Sequence, residues 1–381
     1  MKETQLQGML PMETTKVKFG KLYEVESKIQ NETRSIIVSL PKGYEETKIR
    51  YPVLFILNAS WEMNFIKNAS AVHYLYGSGI SPNMIVVGIC DTAYARDFLP
   101  HLGNADGFVK FLKEELIPYI DKSFRTTTFK ILYGQSNAGL LATYVLLTEP
   151  ETFDAYIASS PMYGWDEEFV TKHVKSFFQK KLKKKKYFYY NYGTKDFDRV
   201  VNSIPNFAKL LEDQNDSNLI WKLDVLENEG HVPFISLYNA LKFIFPDYSL
   251  SDEKIKEFDF NQLEAYYKDL SKRYGCELEI PSSMLFEFAF KFMPEKDYDK
   301  VIEVLLKYTE IYPYSDSVYM RLGQIYYLKG EIEKSKKALL KADELNPLSK
   351  VAHNTMKLYE QRIKEEQEKK EETHQRKKVE F

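Results

Sequence analysis

Residues 131–140 read ILYGQSNAGL, an apolar run followed by a glycine, a serine and small residues. The apolar run predicts a strand at 129–133, and residues 138–148 predict a helix. Ser136 therefore lies in a tight strand-to-helix turn. In such a turn, small residues two positions before and after the serine let the backbone lift its hydroxyl above the sheet. Gly134 and Ala138 occupy these positions, with alanine in place of the usual second glycine. The stretch predicts a parallel sheet that presents a serine nucleophile.

Short β-rich runs alternate with longer helix-like segments from Val17 to about Asp247. This alternation is typical of strands that crossover helices join into a mainly parallel sheet. Several runs are continuously apolar, as expected for central strands covered on both faces. The predicted fold class is therefore α/β, a mostly parallel sheet with helices on both faces. The predicted strands are Lys18–Val25, Ser35–Leu40, Pro52–Asn58, Met84–Cys90, Phe129–Tyr133, Ala155–Ser159, Tyr187–Tyr192 and Trp221–Glu227, and the helices include Gly107–Tyr119, Ala138–Thr148 and Asn206–Asp213.

Beyond the last predicted strand the chain reads as helices only. Pro313 and Pro347 lie 34 residues apart, as do Leu305 and Leu339, so this region repeats a helix pair. The second copy resembles the tetratricopeptide repeat, in which large residues join the two helices and small residues let them approach closely. The first copy, Pro281–Pro313, is more degenerate. The residues of the second copy that follow the repeat pattern are Tyr319, Leu322, Gly323, Tyr326, Ser335, Leu339, Ala342 and Pro347.

These observations divide the chain into four parts. Residues 1–250 form the predicted α/β domain, 251–280 a helical linker, 281–362 the tetratricopeptide-like repeats with a closing helix, and 363–381 a charged tail. Two repeats and a closing helix are few for an independent solenoid. The repeats are therefore expected to pack against the α/β domain or a second subunit.

The composition argues against several classes of protein. The 381 residues include 53 Lys and Arg and 55 Asp and Glu, so the net charge of −2 gives no overall field that favours nucleic acid or an anionic membrane. The basic run Lys180–Lys186 is interpreted as a solvated helix end. The two cysteines, Cys90 and Cys276, are interpreted as inert buried thiols.

Motifs for metal, nucleotide and dinucleotide binding are absent from the sequence, so we expect no metal and no cofactor. Residues 1–18 lack the apolar stretch of a secretory signal, and no run approaches the roughly 18 apolar residues of a membrane span. We therefore expect a soluble, cytoplasmic protein with no membrane contact, unless a signal has been trimmed from this chain.

A serine hydroxyl is a poor nucleophile at neutral pH, so Ser136 needs a histidine base and an acid that orients it, in the chain order Ser, acid, His. One predicted strand runs into Gly193-Thr194-Lys195-Asp196, and the next into Asn228-Glu229-Gly230-His231. Loops at the carboxyl ends of strands are where α/β sheets place functional groups. Of six histidines, His231 alone directly follows a strand and a glycine turn downstream of the serine. The predicted catalytic residues are Ser136, Asp196 and His231.

Three other carboxylates remain alternatives for the acid: Asp198, Glu227 and Glu229. Asp196 is favoured because it lies nearest its strand, and a rigid support holds geometry better than a longer loop. If Asp196 only begins a turn, His231 is an ordinary surface histidine and no triad forms.

Several segments together resemble one family, the "Putative esterase" family of α/β hydrolases, which includes enterochelin esterases, feruloyl esterases and esterase D-like enzymes. The resemblance covers about residues 34–245. The segments are KGYEETKIRYPVLFIL (42–57), VVGI (86–89), ELIPY (115–119), GQSNAGL (134–140), EPETFDAYIASS (149–160) and Gly230-His231.

The resemblance implies an α/β-hydrolase fold and a serine hydrolase that acts on carboxylic esters, with the triad named above on the family's positions. It also implies that the backbone N–H groups of Asn137 and Ser60 form the oxyanion hole, although Asn58-Ala59-Ser60 replaces the family's Asp-Gly. Trp165 and Arg96 either border the substrate cleft or only pack and ion-pair.

The leading hypothesis is therefore a serine esterase with a small-molecule ester substrate. A second hypothesis treats the hydrolase fold as a scaffold whose helical repeats bind a protein partner or form a homodimer. A third is acyl transfer to an alcohol instead of water, which the same triad permits.

Overall fold

The computed structural model describes residues 19–100, 105–165, 173–174, 176–177, 181–213 and 216–379. They form an eight-stranded sheet flanked by helices, and a region of helices alone follows it. The strands are β1 (Lys21–Ser27), β2 (Glu32–Ser39), β3 (Tyr51–Ile56), β4 (Ile85–Ile89), β5 (Thr126–Gln135), β6 (Ala155–Ser159), β7 (Lys186–Gly193) and β8 (Leu219–Leu226).

The strand order is β1-β2-β4-β3-β5-β6-β7-β8. β2 pairs antiparallel with β1 and with β4, whereas β4-β3-β5-β6-β7-β8 are parallel throughout. The eight predicted strands and the mostly parallel α/β fold are thus confirmed. Because parallel strands share one direction, the loops after β3, β5, β6, β7 and β8 lie along the same edge of the sheet.

Helices cover both faces of this sheet. The helix predicted at 206–213 begins earlier, at Asp198, and contains Pro205. Proline removes a hydrogen bond inside a helix, which is why the sequence suggested a later start. The helix continues through it because one side of the helix is buried, including Val200, Ile204 and Phe207. The helices of this region are Glu62–Gly77, Tyr94–Phe98, Ala105–Lys110, a π-helical turn Phe111–Leu116, Ile117–Ser123, Asn137–Thr148, a 3-10 turn Tyr163–Trp165, Asp198–Glu212 and Ser236–Ile244.

Successive residues of the central strands face opposite sides, as the two-residue period of a strand requires. Phe55 and Leu132 pack in one cluster with residues of the helices Asn137–Thr148 and Asp198–Glu212. Leu54 and Ile131 pack on the other face, against Glu62–Gly77 and Ser236–Ile244. The central strands are buried on both faces, so the sheet forms a rigid base for the loops at its edge.

The C-terminal region consists of helices Asp252–Glu257, Phe260–Tyr274, Ser282–Phe290, Tyr298–Ile311, Asp316–Lys329, Ile332–Leu345 and Val351–Val379. Gly323 lets the second pair approach closely, because a Cβ there would lie 2.6 Å from Cγ of Leu339. The buried hydroxyl of Ser335 donates to the carbonyl of Gly323 at 2.6 Å. This is the close helix contact that the small residues of the repeat predict. In the described part of the chain, no helix is both long enough and apolar enough to span a membrane.

One apolar core runs from the sheet into these helices. It extends from Leu54 and Ile131 through Tyr248 to Leu305 and Tyr312. Buried tyrosine hydroxyls satisfy carbonyls along this path: Tyr248 donates to Glu279 at 3.1 Å, and Tyr312 donates to Ile280 at 2.7 Å. The C-terminal helices therefore cover apolar surface that the sheet region would otherwise expose to water.

We expect deletion of residues 252–381 to give an aggregated product with no cooperative thermal transition, because it exposes the apolar surface of this shared core. Truncation after Ile363 is the matched control. It removes residues of the last helix whose described side chains are exposed, and it should leave the melting temperature nearly unchanged. Size-exclusion chromatography and calorimetry measure both products. A monomeric, cooperatively folded fragment 1–251 would contradict the expectation.

Candidate active site

Ser136 lies between the end of β5 and the first residue of the helix Asn137–Thr148. Its φ is 55° and its ψ −123°, a conformation that L-residues rarely adopt. Gly134 makes the turn possible, because a Cβ there would lie 2.0 Å from the carbonyl oxygen of Ala138. The N–H of Ser136 donates to the carbonyl of Ser159 on β6 at 2.9 Å, which holds the strained residue against the sheet. The predicted strand-to-helix turn is present.

Asp196 lies on the loop that follows β7, and its side chain is buried. Its Oδ1 accepts a hydrogen bond from the N–H of Phe197 at 2.7 Å. Burial alone would raise the pKa of this carboxyl, but the hydrogen bonds of His231, Ser160 and the Phe197 N–H outweigh it and hold the pKa below its ordinary value. Asp196 is therefore a carboxylate at neutral pH.

His231 lies on the loop after β8, and 24 % of its side chain is exposed. Its Nδ1 is 2.7 Å from Oδ1 of Asp196, and its Nε2 is 3.0 Å from Oγ of Ser136. The ring of Phe197 packs against the imidazole, with 4.7 Å between ring centroids. The three residues singled out in the sequence thus lie in one hydrogen-bonded chain from hydroxyl to carboxylate.

The loops that carry Asp196 and His231 are joined directly to each other. The N–H of Lys195 donates to the carbonyl of Glu229 at 2.9 Å, and the N–H of Asn228 donates to Oγ1 of Thr194 at 2.8 Å. Gly193 allows this approach, because a Cβ there would lie 2.0 Å from the Glu229 carbonyl oxygen. The distance between acid and histidine is therefore set by backbone contacts as well as by their own bond.

The alternative acids occupy other places. Asp198 is the first residue of the helix Asp198–Glu212, and Glu227 and Glu229 lie on the same loop as His231. Within the described ranges, Nδ1 of His231 is hydrogen-bonded to Asp196 and to none of these three.

The two residues considered for an oxyanion hole differ in their surroundings. Asn137 is the first residue of its helix, where N–H groups have no partner within the helix. After β3, the N–H of Ala59 is engaged with the carbonyl of Ile89 at 2.9 Å. The Ser60 hydroxyl accepts the N–H of Asp91 at 2.6 Å, which ties its loop to the loop after β4.

Arg96 is held in an ion-pair network on the loop and short helix after β4. Its guanidinium donates to both carboxylate oxygens of Glu32, at 2.9 and 2.7 Å, and to Asp97 at 2.8 Å. Asp97 is fully buried and also accepts from the fully buried Arg34 at 2.7 Å. Of the two roles left open for Arg96, this geometry favours ion pairing. Trp165 ends the short turn Tyr163–Trp165, and its side chain lies outside the described part of the structure.

Sequence reasoning did not single out three features of the site: the ring of Phe197 on the imidazole, the exposed Phe234 and Trp61 on nearby loops, and the buried Ser160. The N–H of Val232, the residue after His231, donates to Oγ of Ser160 at 2.9 Å. The position of Ser160 directly after a strand, next to the other predicted loops, was the available sequence indication.

The described residues include both cysteines of the chain. Cys90 is half-buried and Cys276 is buried, and both are free. Burial raises the pKa of each thiol, that of Cys276 to about 12, so neither is a reactive thiolate at neutral pH. The described part of the chain contains no group of three or more metal-ligating side chains.

Three comparisons relate this chain to known proteins. Ferri-bacillibactin esterase BesA of Bacillus subtilis is 28 % identical to this chain over 180 residues. The matched residues make up 40 % of this chain and 62 % of BesA, so the chain spans less than two thirds of the length of BesA. The structure of an IroE-like serine hydrolase from Shewanella oneidensis matches with a TM-score of 0.65 at 23 % identity, over 75 % of this chain and 97 % of that one. The structure of an uncharacterised protein from Capnocytophaga ochracea matches with a TM-score of 0.57 at 19 % identity. This match covers 85 % of this chain and 93 % of that one.

The two structures share the fold of this chain. The sequence of the chain also matches the family model described as "Putative esterase" over residues 27–218, half of its length. This segment contains Ser136 and Asp196. The chain belongs to the "Putative esterase" family.

Proposed function

We propose that this protein is a serine hydrolase that cleaves carboxylic esters. The observation that carries the proposal is the continuous chain of contacts from Oγ of Ser136 through both ring nitrogens of His231 to Oδ1 of Asp196. Such an arrangement turns a weak hydroxyl nucleophile into an effective one. Membership of the esterase family supports the same reaction.

In the proposed reaction, Asp196 accepts the Nδ1 proton of His231 in a hydrogen bond and so leaves Nε2 free to act as base. Nε2 takes the Ser136 proton while Oγ attacks the ester carbonyl carbon. The protonated Nε2 then gives this proton to the leaving alkoxide, and an acyl group remains on Oγ. Water, activated by the same imidazole, releases the acid and restores Ser136.

We further propose that the N–H groups of Asn137 and Ser60 hold the oxyanion of the tetrahedral intermediate. Asn137 immediately follows the nucleophile and begins a helix, whose positive end favours developing negative charge. Each such donor typically contributes about 3 kcal/mol to stabilisation of the transition state. The hydrogen bond between Ser60 and Asp91 supports the second donor, because it fixes the loop after β3.

The surroundings of the triad favour a bulky substrate with apolar surface. Phe197 is 57 % exposed although its ring touches His231, and Phe234, three residues after His231, is 71 % exposed. Trp61, next to Ser60, is 58 % exposed. Exposed aromatic side chains on the loops at this edge of the sheet are suited to contacts with aryl or alkyl groups. The name of BesA, a ferri-bacillibactin esterase, supports siderophore-type esters as the substrate class.

For the C-terminal helices we propose a structural role as an extension of the hydrolase core. The support is the apolar core that they share with the sheet. Binding of a partner protein or a second copy through the repeats is the alternative, and a soluble, folded fragment 1–251 from the deletion described above would favour it.

Replacement of the nucleophile tests the proposal directly. We expect wild-type protein to react with a fluorophosphonate probe and to hydrolyse an aryl acetate. Ser136→Ala should lose labelling and at least roughly 10⁴-fold in kcat, because no other hydroxyl among the described residues is hydrogen-bonded to Nε2 of His231. Circular dichroism provides the folding control. An unlabelled wild-type protein without turnover would exclude this function.

Comparison of the four carboxylates tests the identity of the acid. Asp196→Asn should lower kcat roughly 10³- to 10⁴-fold, since an amide in this place favours the wrong imidazole tautomer. Asp198→Asn, Glu227→Gln and Glu229→Gln are the matched controls and should stay close to wild type in the same assay. A control variant that loses as much activity as Asp196→Asn would reassign the acid.

Arg96→Met should separate a structural from a substrate-binding role. We expect it to lower the free energy of unfolding by about 1–3 kcal/mol, because it leaves Glu32 and the buried Asp97 with fewer donors, and to leave KM unchanged. Phe234→Ala should do the opposite: raise KM for an aryl ester with little effect on unfolding. Urea unfolding and steady-state kinetics give both quantities. A large rise in KM for Arg96→Met at unchanged stability would restore its role in substrate binding.

A further inference from the structure

Ser160 is a buried residue that directly follows β6, and its hydroxyl contacts the loop that carries the histidine. Its side chain has no exposed surface, and its N–H donates to the carbonyl of Asn191 on β7 at 2.8 Å. Its φ is 46°, in the left-handed region that non-glycine residues seldom occupy. Strain of this kind persists only where surrounding contacts hold it, and it is concentrated at functional sites.

The oxygen of Ser160 holds the chain just beyond His231. It accepts the N–H of Val232 at 2.9 Å. Val232 has a φ of 57°, and for a β-branched residue this conformation is a clear outlier. The hydrogen bond from its N–H therefore helps to keep in place a backbone turn that directs the imidazole toward Ser136.

The proton of the same hydroxyl is available to a second partner. In the bond with Val232 the oxygen accepts, so the O–H group remains free to donate. Asp196 lies close enough for Ser160 to lower the pKa of its carboxyl. Oδ1 of Asp196 already accepts from His231 and from Phe197. Oδ2 is buried and has no hydrogen-bond partner among the described residues, and an unpaired buried carboxylate oxygen is costly.

We propose that Ser160 is a positioning residue of the catalytic site: its hydroxyl accepts from the N–H of Val232 and donates to Oδ2 of Asp196. One buried side chain thereby fixes the orientation of the acid and the direction of the histidine loop. The inference rests on the proposed hydrolase function, because it assigns the group that keeps Asp196 and His231 in fixed positions relative to each other. Ser160 takes no part in bond making.

The neighbouring Ser159 provides a matched control. It is equally buried, but its hydroxyl bonds with Ser236 at 2.8 Å and with Asn191 at 3.3 Å, away from the acid. Ser159→Ala and Ser160→Ala each remove one buried hydroxyl. Alanine and serine both have a Cβ, so the positive φ at position 160 is equally strained in Ser160→Ala. The variant therefore removes the hydrogen bonds of the hydroxyl without changing the backbone strain.

We expect Ser160→Ala to lower kcat for an aryl acetate roughly tenfold to a hundredfold with little change in KM, as loss of a hydrogen bond to a charged group implies. The low-pH limb of its kcat/KM profile should move to higher pH. The hydrogen bond of Ser160 helps to hold the pKa of Asp196 down, so without it the carboxylate is more basic and stabilises the protonated, inactive imidazole of His231 more strongly. His231, the titratable side chain that contacts Asp196, is present in both variants. Ser159→Ala should leave this limb in place.

A second measurement is independent of turnover. Proton NMR of the resting protein should show a low-field resonance from the Nδ1 proton between His231 and Asp196, and this resonance should shift or broaden in Ser160→Ala but not in Ser159→Ala. A wild-type pH profile and an unchanged resonance in Ser160→Ala would overturn the proposal. Absence of wild-type labelling at Ser136 would instead reject the hydrolase function, while the resonance would still report on the role of Ser160.

Discussion

The hydrogen bond between Nδ1 of His231 and Oδ1 of Asp196 is the contact on which the candidate site depends, and the parallel sheet is what makes it possible. The serine, the acid and the histidine follow β5, β7 and β8, separated in sequence but brought to one edge because these strands run in the same direction. β6 lies between β5 and β7, and Ser160, the residue after β6, lies at the same edge. The shared direction of the parallel strands thus brings together four side chains that lie far apart in the sequence.

The rigidity of that edge depends on surfaces far from it. The central strands are buried on both faces, and on one face the apolar core continues into the C-terminal helices as far as Val318 and Ile325. A hydrolase without these helices would need polar residues on the surface that they cover. This explains how the C-terminal helices persist in a folded chain although two helix pairs and a closing helix are too few for a solenoid of their own.

The sequence was informative wherever a residue's role follows from its neighbours along the chain. The Ser136 turn needs only a strand, a small residue two positions away and a helix, and all three can be read directly. Pro205 misled the prediction of helix length, because burial of one helix side outweighs a missing hydrogen bond. The two roles of Arg96 could not be separated, since Glu32 lies 64 residues away and meets it only through the pairing of β2 with β4. The role of Ser160 likewise depends on two loops that are distant in sequence.

Apart from two asparagines, which adopt positive φ more readily, three described non-glycine residues with positive φ lie at this one edge: Ser136, Ser160 and Val232. Each departure from a preferred backbone conformation costs about 1–3 kcal/mol, so the site is assembled at the expense of stability gained elsewhere. Hydrogen bonds link the three: the N–H of Ser136 reaches the residue before Ser160, and Ser160 holds Val232. Because strained residues are coupled in this way, relief of strain at one would shift the others. The large shared core therefore gives the candidate site a base stable enough to hold an unfavourable backbone in one arrangement.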